Sequence, residues 1–337
     1  MAVTRDRVHV DLLDVTLRDG GYVNNHEFAT DDVSGILAAL AAGGVPYAEI
    51  GYYRPWRRPD EAPAAARTPA EHVARARRYL GDARLVCMVH PTQLAADKLG
   101  DLAATGVDVV RFAATAAGVD QLTAHVTACR ELGMLASVNL IRASELTVDD
   151  IAACGRAAER IGASWFYVAD SNSALYPDRV ARIFERLRGE VEIRLGFHAH
   201  DGLRLAFANS LAAIDHGATI VDGSLGGMGK GGGNLPTELI AAHLAHHVND
   251  RYQISPLAHA VDRYIQKWIG RPATSEATLS ALLDLNIDRL RALREQADLH
   301  NQPLLSLLES GVRRPARPPA PWASAVQRPV PPKESHG

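Results

Sequence analysis

Cysteine is scarce in this chain: Cys87, Cys129 and Cys154 are the only three in 337 residues. They are odd in number, far apart and set in apolar segments. That excludes a disulfide framework or a cysteine zinc site and reads as small buried hydrophobes in a reducing compartment. Long apolar runs are missing too. No stretch approaches the roughly 18 uncharged apolar residues of a membrane span, and the first ten residues carry alternating charges where an export signal would be apolar. These absences predict a cytoplasmic protein, neither exported nor inserted in a membrane. An excess of one charge is also lacking, since 36 Lys and Arg stand against 39 Asp and Glu for a formal net charge of -3. Such a chain has no long-range field to gather nucleic acid or an anionic bilayer, which leaves a small neutral or anionic metabolite as the expected partner.

What the sequence does have is apolar content, 47% of residues, with short β-branched runs alternating with longer helical patterns from about residue 8 to 247. Candidate strands fall at 8–13, 47–51, 85–89, 107–112, 135–140, 165–169, 193–198 and 219–222. Eight strands over a span near the roughly 250 residues typical of such folds predict an α/β chain whose residues 1–250 form a closed (β/α)8 TIM barrel. In the first helix Val33, Ile36, Leu37 and Leu40 repeat at helical spacing between a start at Thr30 or Asp31 and a stop at Gly43 and Gly44. Thr68-Pro69-Ala70-Glu71 predicts a capping box on the next helix. Leu203, Phe207, Leu211 and Ile214 mark a later helix ending near Gly217. Residues 251–311 read as a small C-terminal helical appendage in which Leu279, Leu282, Leu283, Ile287, Leu290 and Leu293 form one apolar stripe, a possible homo-oligomer contact. The proline-rich stretch 312–337 predicts a disordered tail.

Barrel enzymes place their chemistry at the C-terminal ends of the strands. Three clusters stand at such ends: Asp14 to Gly20 after the first strand, His198-Ala199-His200-Asp201 at the seventh, and the glycine-rich run Gly226 to Asn234 after the eighth. The strand period of two puts both imidazoles of the His-x-His on one side, facing the barrel mouth. Alone, such a pair reads equally well as hydrogen-bonded packing. With a carboxylate from strand one it becomes a mixed Asp, His and amide set that suits Mn²⁺ or Mg²⁺ with open positions where a 2-oxo acid can chelate. Strands one, seven and eight are neighbours in a closed barrel, so the clusters can meet. The glycine run is not a P-loop, because Lys230 is followed by Gly231 where Ser or Thr is required and Ser224 stands where the first glycine belongs. Its bare backbone would let substrate and Asn234 approach a metal.

The Asp14-to-Gly20 segment, the His-Ala-His and the run Ser224-Leu225-Gly226-Gly227-Met228-Gly229 through Gly233-Asn234 resemble the HMG-CoA lyase-like superfamily of metal-dependent lyases and synthases. The likeness spans roughly residues 9 to 245 and is greatest to its 4-hydroxy-2-oxovalerate aldolase branch, whose glycine loop is similar in length and lacks the loop cysteine of the HMG-CoA lyases. The resemblance implies a metal bound by Asp19, His198 and His200, with Asn234 as a further or supporting ligand and Arg18 stabilising an enolate. It implies an aldolase or lyase acting on a 2-oxo acid, with an aldehyde as second partner. The alternatives are a Claisen-type synthase or lyase using an acyl-CoA on the same metal site, and a non-catalytic scaffold. The joint presence of Arg18, Asp19, His198, His200 and Asn234 argues against the scaffold, and the lack of a long regulatory domain against the synthase.

Two departures from the branch stand out. Gly21-Tyr22 occupies the place of its general acid/base histidine, and the C-terminal helices show no counterpart of the tyrosine it contributes from there. The different appendage also argues against a channelling aldehyde dehydrogenase partner. The candidates for proton transfer are therefore Tyr22, His26, Tyr52 and Tyr53. A phenol near its usual pKa of roughly 10 can donate a proton but is a poor base at neutral pH. Expected substrate contacts are Arg18, Glu49 acting through Arg18, Tyr53, Ser171 with Asp170, Lys230, and Arg54 and Arg111 as planar carboxylate clamps. Glu49 and Arg111 read equally as barrel-layer salt-bridge residues, and Asp14 and Asp222 as supports.

Overall fold

Eight short runs rich in β-branched and aromatic residues form strands because each is covered on both faces, by helices outside and by packed side chains within. They are β1 (Asp11–Asp14), β2 (Tyr47–Tyr52), β3 (Arg84–Val89), β4 (Val109–Ala114), β5 (Leu135–Leu140), β6 (Trp165–Asp170), β7 (Arg194–Ala199) and β8 (Ile220–Gly223). All pair in parallel in chain order, and β8 returns to β1 to close a (β/α)8 barrel. This computed structural model describes residues 9–248, 251–269 and 275–312. Alternation along the strands separates two layers. Leu13, Val15, Tyr47, Val86, Val109, Trp165, Tyr167 and Ile220 fill the interior, while neighbours such as Leu12, Ile50, Cys87 and Phe112 face the helices. The strands fall within about two residues of the sequence expectation, apart from a later start at β1. All three cysteines are buried and free. Among the described residues no helix is long and apolar enough to cross a membrane.

Two local expectations are corrected. The helix Thr30–Ala42 buries Val33, Ile36, Leu37 and Leu40 as its spacing requires, but the helix Ala70–Leu80 has no side-chain cap. Thr68 sits in a left-handed conformation (φ 48°), and its hydroxyl donates instead to the Tyr52 carbonyl at 2.8 Å. That carbonyl lies beside the bulge in β2, so the threonine anchors a strand end in place of a helix start. The residues read as one C-terminal stripe are also split between two helices, Ser275–Leu282 and Ile287–Leu299, with Leu283 in the turn that separates them. Between them Asp284 takes φ 53°, and the Asn286 side chain accepts from the Asp288 and Arg289 amides at 3.1 and 3.0 Å, a helix cap of the usual kind.

Polar contacts bind this turn to the C-terminal face of the barrel. The Asp284 carboxylate accepts from Ser144 at 2.5 Å and Asn172 at 2.8 Å, Asn286 donates to Glu145 at 2.8 Å, and Arg142 donates to Asp288 at 2.6 Å. At the opposite face the Tyr252 hydroxyl accepts from the Leu12 amide and donates to the Val10 carbonyl, each at 3.1 Å. The proline-rich tail from 313 onward lies outside the described residues.

Asp14 braces the start of the first loop, accepting from the Thr16 amide at 2.9 Å and the Thr237 hydroxyl at 2.7 Å. Burial nevertheless pushes its carboxyl from an ordinary 3.8 up to about 6. The folded chain thus keeps this proton to about pH 6 while the unfolded chain releases it near 3.8. Between those values the native state binds more protons, so stability falls as pH rises. Urea titrations across that window should show a shallower decline for Asp14→Asn than for the parent chain, on top of a loss of about 1 kcal/mol from the broken hydrogen bond.

Candidate active site

The cleft at the N-terminal end of the barrel, about 580 Å³, is lined in part by Asp11 and Arg251, and Asp11 is already paired with Arg194 and Arg251. Chemistry concentrates at the other end, in a cavity of about 300 Å³ over the C-terminal mouth. There one carboxylate oxygen of Asp19 and one nitrogen each of His198 and His200 lie within 4.8 Å of one another. Nε2 of His198 is 3.7 Å and Nε2 of His200 3.8 Å from Asp19 Oδ2.

Each imidazole is turned by a contact at its other nitrogen. Nδ1 of His198 is 2.8 Å from Asp222 Oδ2, and Nδ1 of His200 is 3.3 Å from the Gly233 carbonyl. With Nδ1 protonated toward these acceptors, both Nε2 lone pairs face Asp19 as metal ligation requires. Asn234 reaches the site because the glycine loop folds back onto β7, making a bridge between His200 and Asn234. A Cβ on Gly229 would fall 2.4 Å from the Asn234 amide, so a side chain there would push that amide out of its present position. The Asn234 nitrogen donates to the Met228 carbonyl at 3.2 Å and points to Asp19 at 3.5 Å, while its oxygen is buried with no partner. A buried acceptor left open beside a carboxylate and two imidazoles is the donor set of a divalent cation site.

Beneath this set a chain of buried charges crosses the barrel. Arg18 Nη1 meets Asp19 at 3.1 Å, and its Nε donates to Glu49 Oε2 at 2.6 Å. The same Glu49 oxygen accepts from Arg111 at 3.1 Å, and Arg111 donates on to Asp222 at 2.7 Å. Arg111 lies 4.3 Å over the Tyr167 ring, and the ring fits because Gly196 has no Cβ to meet it. Burial alone would raise Asp19, but Arg18, His200 and His198 together outweigh it and hold the carboxyl well below its ordinary value. Burial would likewise lower His198, yet its hydrogen bonds to Asp19 and Asp222 raise it. His200, without a carboxylate at Nδ1, is pushed down by burial to about 4.

Of the residues expected at the site, Arg18, Asp19, Tyr22, Tyr52, Ser171, His198, His200 and Lys230 line the cavity. The Tyr22 and Tyr52 hydroxyls are 2.8 Å apart, with Tyr22 half exposed and Tyr52 buried. The others lie elsewhere. Glu49 and Arg111 sit under the floor, fully buried and paired with each other, and neither lines the cavity, which leaves Arg111 a barrel-layer ion-pair residue in place of a carboxylate clamp. His26 is buried against the first loop with Nε2 on the Arg18 carbonyl at 2.9 Å, which spends the ring on holding that loop. Tyr53 points away from Tyr52 by strand alternation and joins the helix-facing core. Arg54 stacks 4.4 Å over the outer side of the Tyr52 ring and donates to the Ala66 carbonyl. Asp170 turns from the cavity to accept the Ala174 and Leu175 amides, with burial pushing it up to about 7.

The structure adds His90, Asn139, Arg142, Asn172, Asn286 and Ile287 to the lining. His90 is the first residue after β3, so the strand-end rule that picked out His198 could have found it. Asn286 and Ile287 come from the C-terminal turn, whose position over the mouth no local pattern reveals.

The HMGL-like family model matches residues 9–262. An oxaloacetate decarboxylase from Mycobacterium tuberculosis is 33% identical over 294 residues, covering 86% of this chain and 87% of its own. A 4-hydroxy-2-oxovalerate aldolase from Thermomicrobium roseum is 34% identical over 244 residues, covering 72% and 67%. Among solved structures, the carboxyl transferase domain of Rhizobium etli pyruvate carboxylase with pyruvate and biocytin superposes with a TM-score of 0.72 at 18% identity, over 88% of this chain and 54% of that one. That last likeness concerns the fold.

Replacing Asp222 by Asn keeps the shape but removes the carboxylate that orients His198. Calorimetric titration with Mn²⁺ should give an affinity about 10- to 100-fold weaker than for the parent chain, and Asp19→Ala should show no binding.

Proposed function

From the premise that the chain belongs to the HMGL-like family, we propose that it is a divalent-metal-dependent carbon–carbon lyase acting on a 2-oxo acid through a pyruvate-type enolate. One observation carries the reading: the Asp19, His198 and His200 ligand atoms converge beside the Arg18 guanidinium in a cavity sized for a small 2-oxo acid. Relatives named for decarboxylation and for aldol cleavage fit it equally, since loss of carbon dioxide from one substrate and of an aldehyde from the other both leave the enolate of pyruvate.

Asp19, His198 and His200, with Asn234 Oδ1, would hold the cation, and the oxygen and imidazole donors suit Mn²⁺ or Mg²⁺. When bound, the ion supplies Lewis acidity to the oxygens of the 2-oxo acid. The rest is done by the chain. Arg18 is fixed by Glu49 and Asp19 and lines the cavity, so its charge is aimed before substrate arrives and stabilises the enolate oxygen without reorganisation. Lys230 lines the same cavity, lowered by burial while Asp19 opposes that shift, and pairs with the substrate carboxylate. Burial raises the Tyr52 hydroxyl well above its ordinary value, so it is a proton donor. It delivers the proton to the enolate carbon, and Tyr22, hydrogen-bonded to it and half exposed, returns one from solvent. Ile287 and Asn286 cover the mouth and limit water.

Proton exchange at the pyruvate methyl group in D₂O, followed by NMR, tests the reading. The Mn²⁺-loaded chain should exchange, Asp19→Ala should not, and Tyr52→Phe should slow exchange about 100-fold or more. Failure of the loaded parent chain to exchange at any Mn²⁺ or Mg²⁺ concentration would sink it.

A further inference from the structure

His90 lines the cavity and has no part in the steps above. β3, which delivers it, lies four strands from β7 in either direction around the ring of eight. The imidazole therefore faces the cavity from the side opposite His198 and His200. Its ring stacks on Tyr52, with centroids 5.9 Å apart and planes 13° apart. Neither ring nitrogen has a hydrogen-bond partner among the described residues, whereas His26, His72, His125, His198 and His200 are each held by one. An unpaired imidazole at the wall of an active site is the exception among these histidines.

We infer that His90 is the general base that takes the proton from the substrate hydroxyl when the chain cleaves a 4-hydroxy-2-oxo acid. This rests on the function proposed above and deepens it. With the oxo-acid head at Asp19, His198 and Arg18, the rest of the substrate extends across the mouth toward β3, which brings the hydroxyl-bearing carbon to His90. The other titratable lining groups are guanidiniums, an ammonium and phenols, poor proton acceptors near neutral pH, or belong to the cation ligand set, and the remaining side chains are amides, the Ser171 hydroxyl and apolar groups. His90 is what remains. Burial, with Arg54 and Arg18 nearby, holds it below the ordinary histidine value and so neutral at pH 7.

The step balances. The imidazole nitrogen takes the hydroxyl proton, the oxygen's electron pair becomes the new carbonyl bond of the aldehyde, and the carbon–carbon bond breaks with its pair going to the enolate. Tyr52 protonates the enolate carbon to give pyruvate, and the imidazolium releases its proton to solvent, as Tyr22 and Tyr52 regain theirs. Decarboxylation of a 2-oxo diacid has no hydroxyl to deprotonate. His90 therefore separates aldol cleavage from enolate chemistry as such.

The experiment uses the full chain loaded with Mn²⁺. Two rates are measured on each sample, aldehyde release from 4-hydroxy-2-oxovalerate and exchange of the pyruvate methyl protons in D₂O. In His90→Gln and His90→Ala the ratio of cleavage to exchange should fall about 100-fold, and added imidazole should raise that ratio in His90→Ala. A ratio does not depend on the folded fraction, so a poorly folding variant still reports. A ratio that stays at the parent value, whether both rates fall or neither does, overturns the assignment. So does a parent chain that exchanges pyruvate but cleaves no 4-hydroxy-2-oxo acid. A parent chain that fails to exchange at all overturns the earlier reading, and this one with it.

Discussion

The ion-pair chain Arg18, Glu49, Arg111, Asp222 and His198 runs through the barrel beneath the site, and the chemistry above is arranged on it. Each member is nearly or wholly out of water, where an isolated charge is expensive, so every group must find its partner in one geometry. Removing one partner of such a pair typically costs about 3–5 kcal/mol, which keeps the residues at both ends in place. One end turns the His198 ring through Asp222, and the other aims Arg18. Counted with Asp19, the set holds two guanidiniums against three carboxylates. The third carboxylate, Asp19, faces His198 and His200, so the negative charge not matched by the two guanidiniums lies at the candidate ligand set.

The mouth of the barrel is finished by a part of the chain remote in sequence. Asp284, Asn286 and Asp288 hold the turn before Ile287–Leu299 onto Ser144, Asn172, Glu145 and Arg142. These contacts sit at the rim, and Asn286 and Ile287 look into the cavity. The lining contributed by these two residues thus depends on the same few hydrogen bonds. A polar turn is suited to this task, because it can cap a helix and bind the rim while exposing little apolar surface.

The two histidines of the candidate metal site could be read directly because strand periodicity is a local property. Two histidines two residues apart on a parallel strand share a face, whereas Asp19 lies in the loop beyond the Asp14 end of β1 and was singled out by the family resemblance. The same logic failed for Tyr53 and Arg54. The bulge in β2 between Glu49 and Tyr52 breaks the alternation that would have turned Tyr53 inward, so Tyr52 faces the mouth and Tyr53 the helices, and sequence alone did not say which of the adjacent tyrosines faces the mouth. His26 drew notice for its ordinary pKa, but its ring packs on the loop backbone, a contact fixed by the positive φ at that residue.

The sequence by itself determined the barrel, the order of its strands and the free cysteines, because each follows from spacing along the chain and from what must be buried, whereas the candidate ligand set was named through the family resemblance. Only the tertiary structure decided that Glu49 and Arg111 pair under the floor, that Tyr22 meets Tyr52, that His90 has no hydrogen-bond partner among the described residues, and that Asn286 and Ile287 join the cavity lining. Those facts are distances between residues dozens to hundreds of positions apart. They are set by how whole elements pack, and packing leaves no periodic trace in any one segment.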